Sequence, residues 1–168
     1  MFNINRNNEY IEIVGFIFNN DEFKKIDDIE HHGTSRLKHS MRVSYYSFKI
    51  AKALGLNYYN VARGGLLHDF FLSDNNRSDK ERILDTFTHP KRALKKASET
   101  FELCDMEKDI IVGHMFPVYK SIPKYSESWI VNLTDKVIGC YEFLYHYICN
   151  LNYAANYLYL FVLLNLVK

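Results

Sequence analysis

The sequence predicts an all-α fold, a bundle of amphipathic helices, and three observations carry that reading. Apolar side chains recur at helical spacing, capping residues stand where those stripes begin, and only 7 Gly and 3 Pro interrupt 168 residues. That is too few for a turn-rich β fold. The length suits one domain that buries its own core. No repeat, low-complexity tract or linker divides the chain, so residues 1–168 are read as a single domain. A formal net charge of +1 argues against broad electrostatic capture of nucleic acid, which needs a large basic surface. Cys104, Cys140 and Cys149 form no CxxC pair, so neither a disulfide framework nor a zinc finger is expected. The opening MFNINRNNEY has no apolar h-region of the signal-peptide kind, and a cytoplasmic protein is expected.

The elements follow in order. Glu9 to Lys25 reads as one or two short helices, separated near Asn19–Asp21. After His31-His32-Gly33, Thr34 or Ser35 caps a clearer helix with Leu37, Met41, Phe48 and Ala51 on its stripe, widened by Val43, Tyr46, Ile50 and Leu54. Gly55 stops it. Asn57 caps the next helix, which turns Val61, Leu66, Leu67, Phe70 and Phe71 towards burial. Ser73 to Asp79 reads as a polar loop, and helix resumes at Pro90, which suits a first helical position, running to about Thr100. Asp105 caps a helix carrying Ile110, Ile111 and His114. Beyond the loop bracketed by Pro117 and Pro123, Ser126 or Ser128 caps a long helix through Asp135 to about Ile148, and Asn150 or Asn152 starts a last one to Leu166.

From Phe143 to Val167 there is no formal charge, but His146 and several Asn break the apolar run, whose longest stretch is Tyr157 to Leu164. A membrane span needs about 20 predominantly apolar residues. The reading therefore favours a core or dimer-interface helix over membrane contact, with a homodimer through this C-terminal helix as the partner it suggests.

The histidines hold the chemical information. His68-Asp69 closes the run Gly64-Gly65-Leu66-Leu67 and precedes Phe70-Phe71. An imidazole beside a carboxylate among so many apolar side chains is costly unless something pairs with both. A divalent cation would, since His nitrogen and Asp oxygen are ordinary ligands of Zn, Mn, Fe and Co. Taken alone, the dipeptide better suits a helix C-terminus, with His68 meeting the dipole and Asp69 facing water. Other groups share the pattern: His39 amid apolar positions, Asp135 within Ile130 to Ile138, His89 before Pro90, and His114 before Met115-Phe116-Pro117. Such groups on separate helices are what a bundle needs to hold metal at its centre.

The order His39, His68-Asp69, Asp135 resembles the HD superfamily of metal-dependent phosphohydrolases. Arg36-Leu37-Lys38-His39-Ser40-Met41-Arg42-Val43 is similar to that family's first-histidine helix, Leu66-Leu67-His68-Asp69 to its namesake motif, and Thr134-Asp135-Lys136 to its last ligand. The resemblance covers roughly residues 33–139 and leaves an apolar helical extension over 140–168. It implies an HD-domain helical bundle with a metal centre between helices, in which His39, His68, Asp69 and Asp135 hold a first ion. Two-metal members place extra histidines between the HD pair and the last Asp, which implies that Asp69 bridges to a second ion held by His89 and His114. One or two divalent transition ions are expected, drawn from Mn, Fe, Ni, Co and Zn, with Mg admissible. His31 and His32 read as surface histidines. His146 returns to the face of Asp135 but about 16 Å along the axis, and reads as a core histidine.

A metal pair would lower the pKa of a bridging water and drive in-line attack at phosphorus. The expected substrate is a small phosphorylated metabolite or nucleotide, not a large nucleic acid. Asp69 and Lys136 are the expected catalytic residues and Arg36 the substrate-binding one. Arg36 lies three residues before His39 and Arg42 three after, so both share its helical side. Lys91 and Arg92 read as solvated charges. Phe70-Phe71-Leu72 lacks the lysine that follows the HD pair in the cyclic-dinucleotide branch, and nothing after His114 supplies that branch's Gly-Tyr-Pro, which speaks against cyclic di-GMP hydrolysis. Two alternatives use the same residues: a di-iron oxygenase of the HD type, such as inositol oxygenase, and a metal-stabilised nucleotide-binding module without turnover.

Overall fold

The computed structural model describes residues 7–31, 34–72 and 79–166, with side chains described for these except 30–31, 79–86 and 153–166. The expectations for His32, Gly33 and the polar loop over 73–78 lie outside the described residues. Helices dominate: α1 (Asn8–Phe18), α2 (Asp21–Lys24), α3 (Arg36–Ala53), α4 (Tyr58–Leu67), α5 (Asp79–Thr100), α6 (Asp105–Gly113) and α7 (Ser126–Leu166). A 3₁₀ turn over Lys25–Asp28 follows α2, and β1 (Glu30–His31) pairs antiparallel with β2 (Thr34–Ser35) as a two-residue bridge ahead of α3.

Side-chain caps set the starts of the first four helices. Asn7 accepts from the Tyr10 amide, Asn20 from those of Glu22 and Phe23, Ser35 from that of Lys38, and Asn57 from that of Asn60. Each satisfies an amide that the first helical turn leaves without a partner. Gly55 ends α3 at φ +69°, a left-handed conformation that favours glycine.

Two expected boundaries are corrected. Helix does not resume at Pro90: α5 already runs from Asp79 and carries Pro90 inside it. The preceding Lys-Glu-Arg-Ile-Leu stretch forms helix well, and an internal proline removes one backbone bond without ending the element here. Nor does a new helix begin at Asn150 or Asn152. α7 is continuous for 41 residues, about 60 Å at 1.5 Å per residue, and Asn150 Nδ2 donates to His146 Nε2 at 3.0 Å across one turn. His146 is accordingly exposed, not a core histidine, and lines a groove between α3 and α7. The described part of the C-terminal extension is not core either: Phe143, Leu144, Tyr145, Tyr147, Ile148 and Leu151 all face outward. No helix among the described residues is long and apolar enough to cross a membrane.

The core lies where α1, α3, α4 and α6 meet, with Tyr10, Ile17, Phe23, Phe48, Leu66, Leu67, Phe70 and Ile111 all but inaccessible. Tyr10 Oη donates to Ser44 Oγ at 2.8 Å, and Ser44 Oγ donates to the Ala62 carbonyl at 2.6 Å, joining α1, α3 and α4. α4 approaches both neighbours closely because it carries two glycines. A Cβ on Gly64 would stand 2.9 Å from Ile110 of α6, and one on Gly65 3.1 Å from the Ser44 backbone of α3. The end of α4 is thereby pressed into the middle of the bundle, with His68 and Asp69 at its tip.

Candidate metal centre

His68 and His114 are placed by the same local device. Each is the residue that follows the last turn of its helix, α4 or α6. There each turns its ring back to a carbonyl three residues earlier: His68 Nδ1 donates to Gly65 O and His114 Nδ1 to Ile111 O, both at 2.7 Å. A carbonyl only accepts, so the proton is fixed on Nδ1 and the Nε2 lone pair is left for whatever lies ahead. The carbonyls so satisfied are among those that a helix C-terminus leaves without partners. Both helices also bring the negative ends of their dipoles to this point, which favours a cation.

The other expected ligands arrive from three further helices. His39 stands in the opening turns of α3, His89 in α5 and Asp135 in α7. His39 Nε2 lies 3.0 Å from Asp135 Oδ1, and His68 Nε2 lies 3.5 Å from the same oxygen. Asp69 faces two ways: Oδ2 is 3.8 Å from His68 Nε2, while Oδ1 is 3.5 Å from His89 Nε2 and 3.6 Å from His114 Nε2. The Nε2 atoms of His89 and His114 are 3.0 Å apart. Three groups of donors each fall within 4.8 Å of one another: His39, His68 and Asp69; His68, His114 and Asp135; and Asp69, His89 and His114. All six residues singled out from the sequence as ligands therefore converge on one place.

The electrostatics of the cluster call for positive charge. Burial works against a charged His39, yet hydrogen bonds to Asp135 and Glu142 and the charge of Asp69 push its pKa up to about 10. His68 is also raised: burial opposes it, and the Asp69 and Asp135 carboxylates overcome that. Asp135 is held well below the usual range, burial notwithstanding, by His39 and His68. In the other half, burial and the neighbouring His68 push His114 down to about 3, and burial lowers His89. Those two rings are therefore neutral, the form in which imidazole ligates. Among the described residues, the fully buried His68 Nε2 makes no close hydrogen bond, its nearest carboxylate oxygen being Asp135 Oδ1 at 3.5 Å. A divalent cation fits this donor set. It would supply the missing partner, and imidazole with carboxylate suits Zn, Mn, Fe, Co or Ni.

The cations expected to serve substrate are placed differently. Arg36 is buried, with Nη1 donating to the Phe71 carbonyl at 2.6 Å and the guanidinium 3.9 Å above the Phe71 ring. Arg92, expected as a solvated charge, donates Nη2–H to the Leu72 carbonyl at 2.8 Å and lies 5.1 Å from the same ring. Together they clamp the turn that leaves Asp69. Lys91 is exposed. Lys136 Nζ donates to the carbonyls of His114, at 3.0 Å, and Asn132, at 3.3 Å, and burial lowers its pKa.

Two residues at the site escaped the sequence reading. Asn132 Nδ2 reaches the carbonyls of Gly113, His114 and Phe116 at 3.0, 2.7 and 2.9 Å, pinning the end of α6 to α7. Glu142 accepts from His39 Nδ1 at 2.8 Å and also pairs with Arg42. Its signal was present: it lies seven residues, two helical turns, past Asp135 and is the last charge before the uncharged run.

A helical bundle that gathers four imidazoles and two carboxylates at its centre defines a metal-site protein of the HD kind. The family model of the HD domain matches residues 36–138, and the chain belongs to that family, most of whose members are metal-dependent hydrolases. No curated protein and no solved structure matches the chain.

Proposed function

We propose that the protein is a metal-dependent phosphohydrolase acting on a phosphate ester of a small metabolite or nucleotide. The carrying observation is the two-sided placement of Asp69, with one oxygen towards His68 and the other towards His89 and His114. In this reading His39, His68, Asp69 and Asp135 hold one ion, and Asp69, His89 and His114 a second. Bound divalent ions supply Lewis acidity and a water made nucleophilic near neutral pH. The protein's own part is to fix the donors. Backbone carbonyls of Gly65 and Ile111 set the tautomers of His68 and His114, and Phe71, packed on His89 at 5.5 Å between ring centroids, excludes water from one side. Asp69 is the proposed catalytic carboxylate. Arg36 and Arg92 hold its turn, and Lys136 ties α7 to the carbonyl of His114.

The test is metal analysis of protein purified without added metal, then a screen of phosphomonoesters, phosphodiesters and nucleotides with Mn, Fe, Ni, Co and Mg. Turnover lost in Asp69→Ala supports the proposal. Metal-loaded protein that turns over none of these esters, and instead consumes dioxygen or binds nucleotide unchanged, overturns it.

A further inference from the structure

We infer that Glu142 is a positioning residue for the metal centre: it receives the Nδ1 proton of His39 and so aims Nε2 into the donor cluster. This rests on the metal-site reading above. Asp135 and Glu142, two turns apart on one face of α7, take hold of the two nitrogens of the same ring, with Oδ1 3.0 Å from Nε2 and Oε2 2.8 Å from Nδ1. Only the Nε2 side faces the other donors. The Nδ1 side is closed by a carboxylate whose side chain is 2% exposed and which Arg42 holds from its other oxygen. His68 and His114 receive the same service from backbone carbonyls. His39 stands near the start of α3, with its Nδ1 turned to α7, so a side chain from α7 does the work. An acceptor oxygen behind a ligating imidazole fixes its tautomer and the orientation of the ring.

The test compares Glu142→Gln with Glu142→Met in the full-length chain. The two side chains are similar in length, but only glutamine offers an oxygen to Nδ1–H. Mn²⁺ affinity is measured by calorimetry, with far-UV circular dichroism to show that each variant is folded. The Met variant is expected to bind Mn²⁺ about ten- to a hundredfold more weakly than the parent, and the Gln variant within about threefold of it. Equal constants for Gln and Met, whether both strong or both weak, overturn the role of Glu142. A Met variant that does not fold leaves Gln against the parent to decide, and a constant for Gln far weaker than parental overturns it. Failure of the parent itself to bind Mn²⁺ overturns the metal-site reading and this inference together. Absence of ester hydrolysis by a parent that binds metal counts against the proposed reaction alone.

Discussion

Asp69 is the residue on which both halves of the centre depend. Its carboxyl oxygens face different imidazoles, so no single neighbour can replace it. Asp69→Ala is expected to remove metal retention and hydrolysis together, and a variant with the parental metal load would refute the assignment. His89→Ala and His114→Ala should each cost only one half of the site. The checking measurement is metal per chain by mass spectrometry, falling from two ions towards one with the helical circular dichroism unchanged. Two ions retained in both variants would mean that these rings are not ligands. Arg36 was expected at the substrate because it shares a helical side with His39, and that inference from spacing holds as far as spacing goes. Spacing does not show that the guanidinium meets a carbonyl and a ring first. Hydrogen bonds from a charged donor contribute about 1.5–3 kcal/mol. Arg36→Ala should therefore lower the melting temperature measurably and loosen metal retention through the turn after Asp69. Arg36→Lys should restore little of either, because an ammonium does not reproduce the planar stack.

At the scale of the element, the decisive feature is the close seating of α4 between α3 and α6. Gly64→Ala puts a methyl 2.9 Å from Ile110, near enough to the branch of that side chain that the packing must shift. Overpacking of this kind costs about 1–3 kcal/mol, and urea unfolding is the measure. An unchanged midpoint would show that α6 gives way freely. Elements opened by Asn or Ser caps were readable in advance, because the cap and the apolar stripe coincide at Asn57 and Ser35. Pro90 and Asn150 misled for a shared reason. Each carries a local preference for a helix start, but such a preference is a weak prior that tertiary packing overrides, and Pro90 lies buried inside α5. The ligand order was legible too, since imidazoles and carboxylates stand out on apolar stripes. Asn132 was not, and Glu142 stood out only by its place two turns past Asp135, because a polar residue on a long helix reveals its partner only once the opposing helix is placed.

For the molecule as a whole, the site is a place where, among the described residues, α3, α4, α5, α6 and α7 all contribute a donor. An ion held there binds the folded chain and has no comparable site in the unfolded one, so it stabilises by mass action. The gain is about 2.7 kcal/mol at a free metal concentration a hundredfold above Kd. Thermal unfolding of the metal-loaded protein should accordingly move to lower temperature with chelator and back with Mn²⁺, in proportion to the logarithm of the free metal concentration. Asp69→Ala should show neither movement. The stabilisation should also be uneven. α1 and α2 supply no donor to the cluster and join the bundle through Tyr10, Ile17 and Phe23. Hydrogen exchange of backbone amides should therefore slow on metal addition most in the last turns of α4 and α6, where His68 and His114 are anchored, and least in α1. Uniform slowing along the chain would mean that the ion acts only by suppressing global unfolding. Protection confined to α1 would place the cation somewhere other than between these helices.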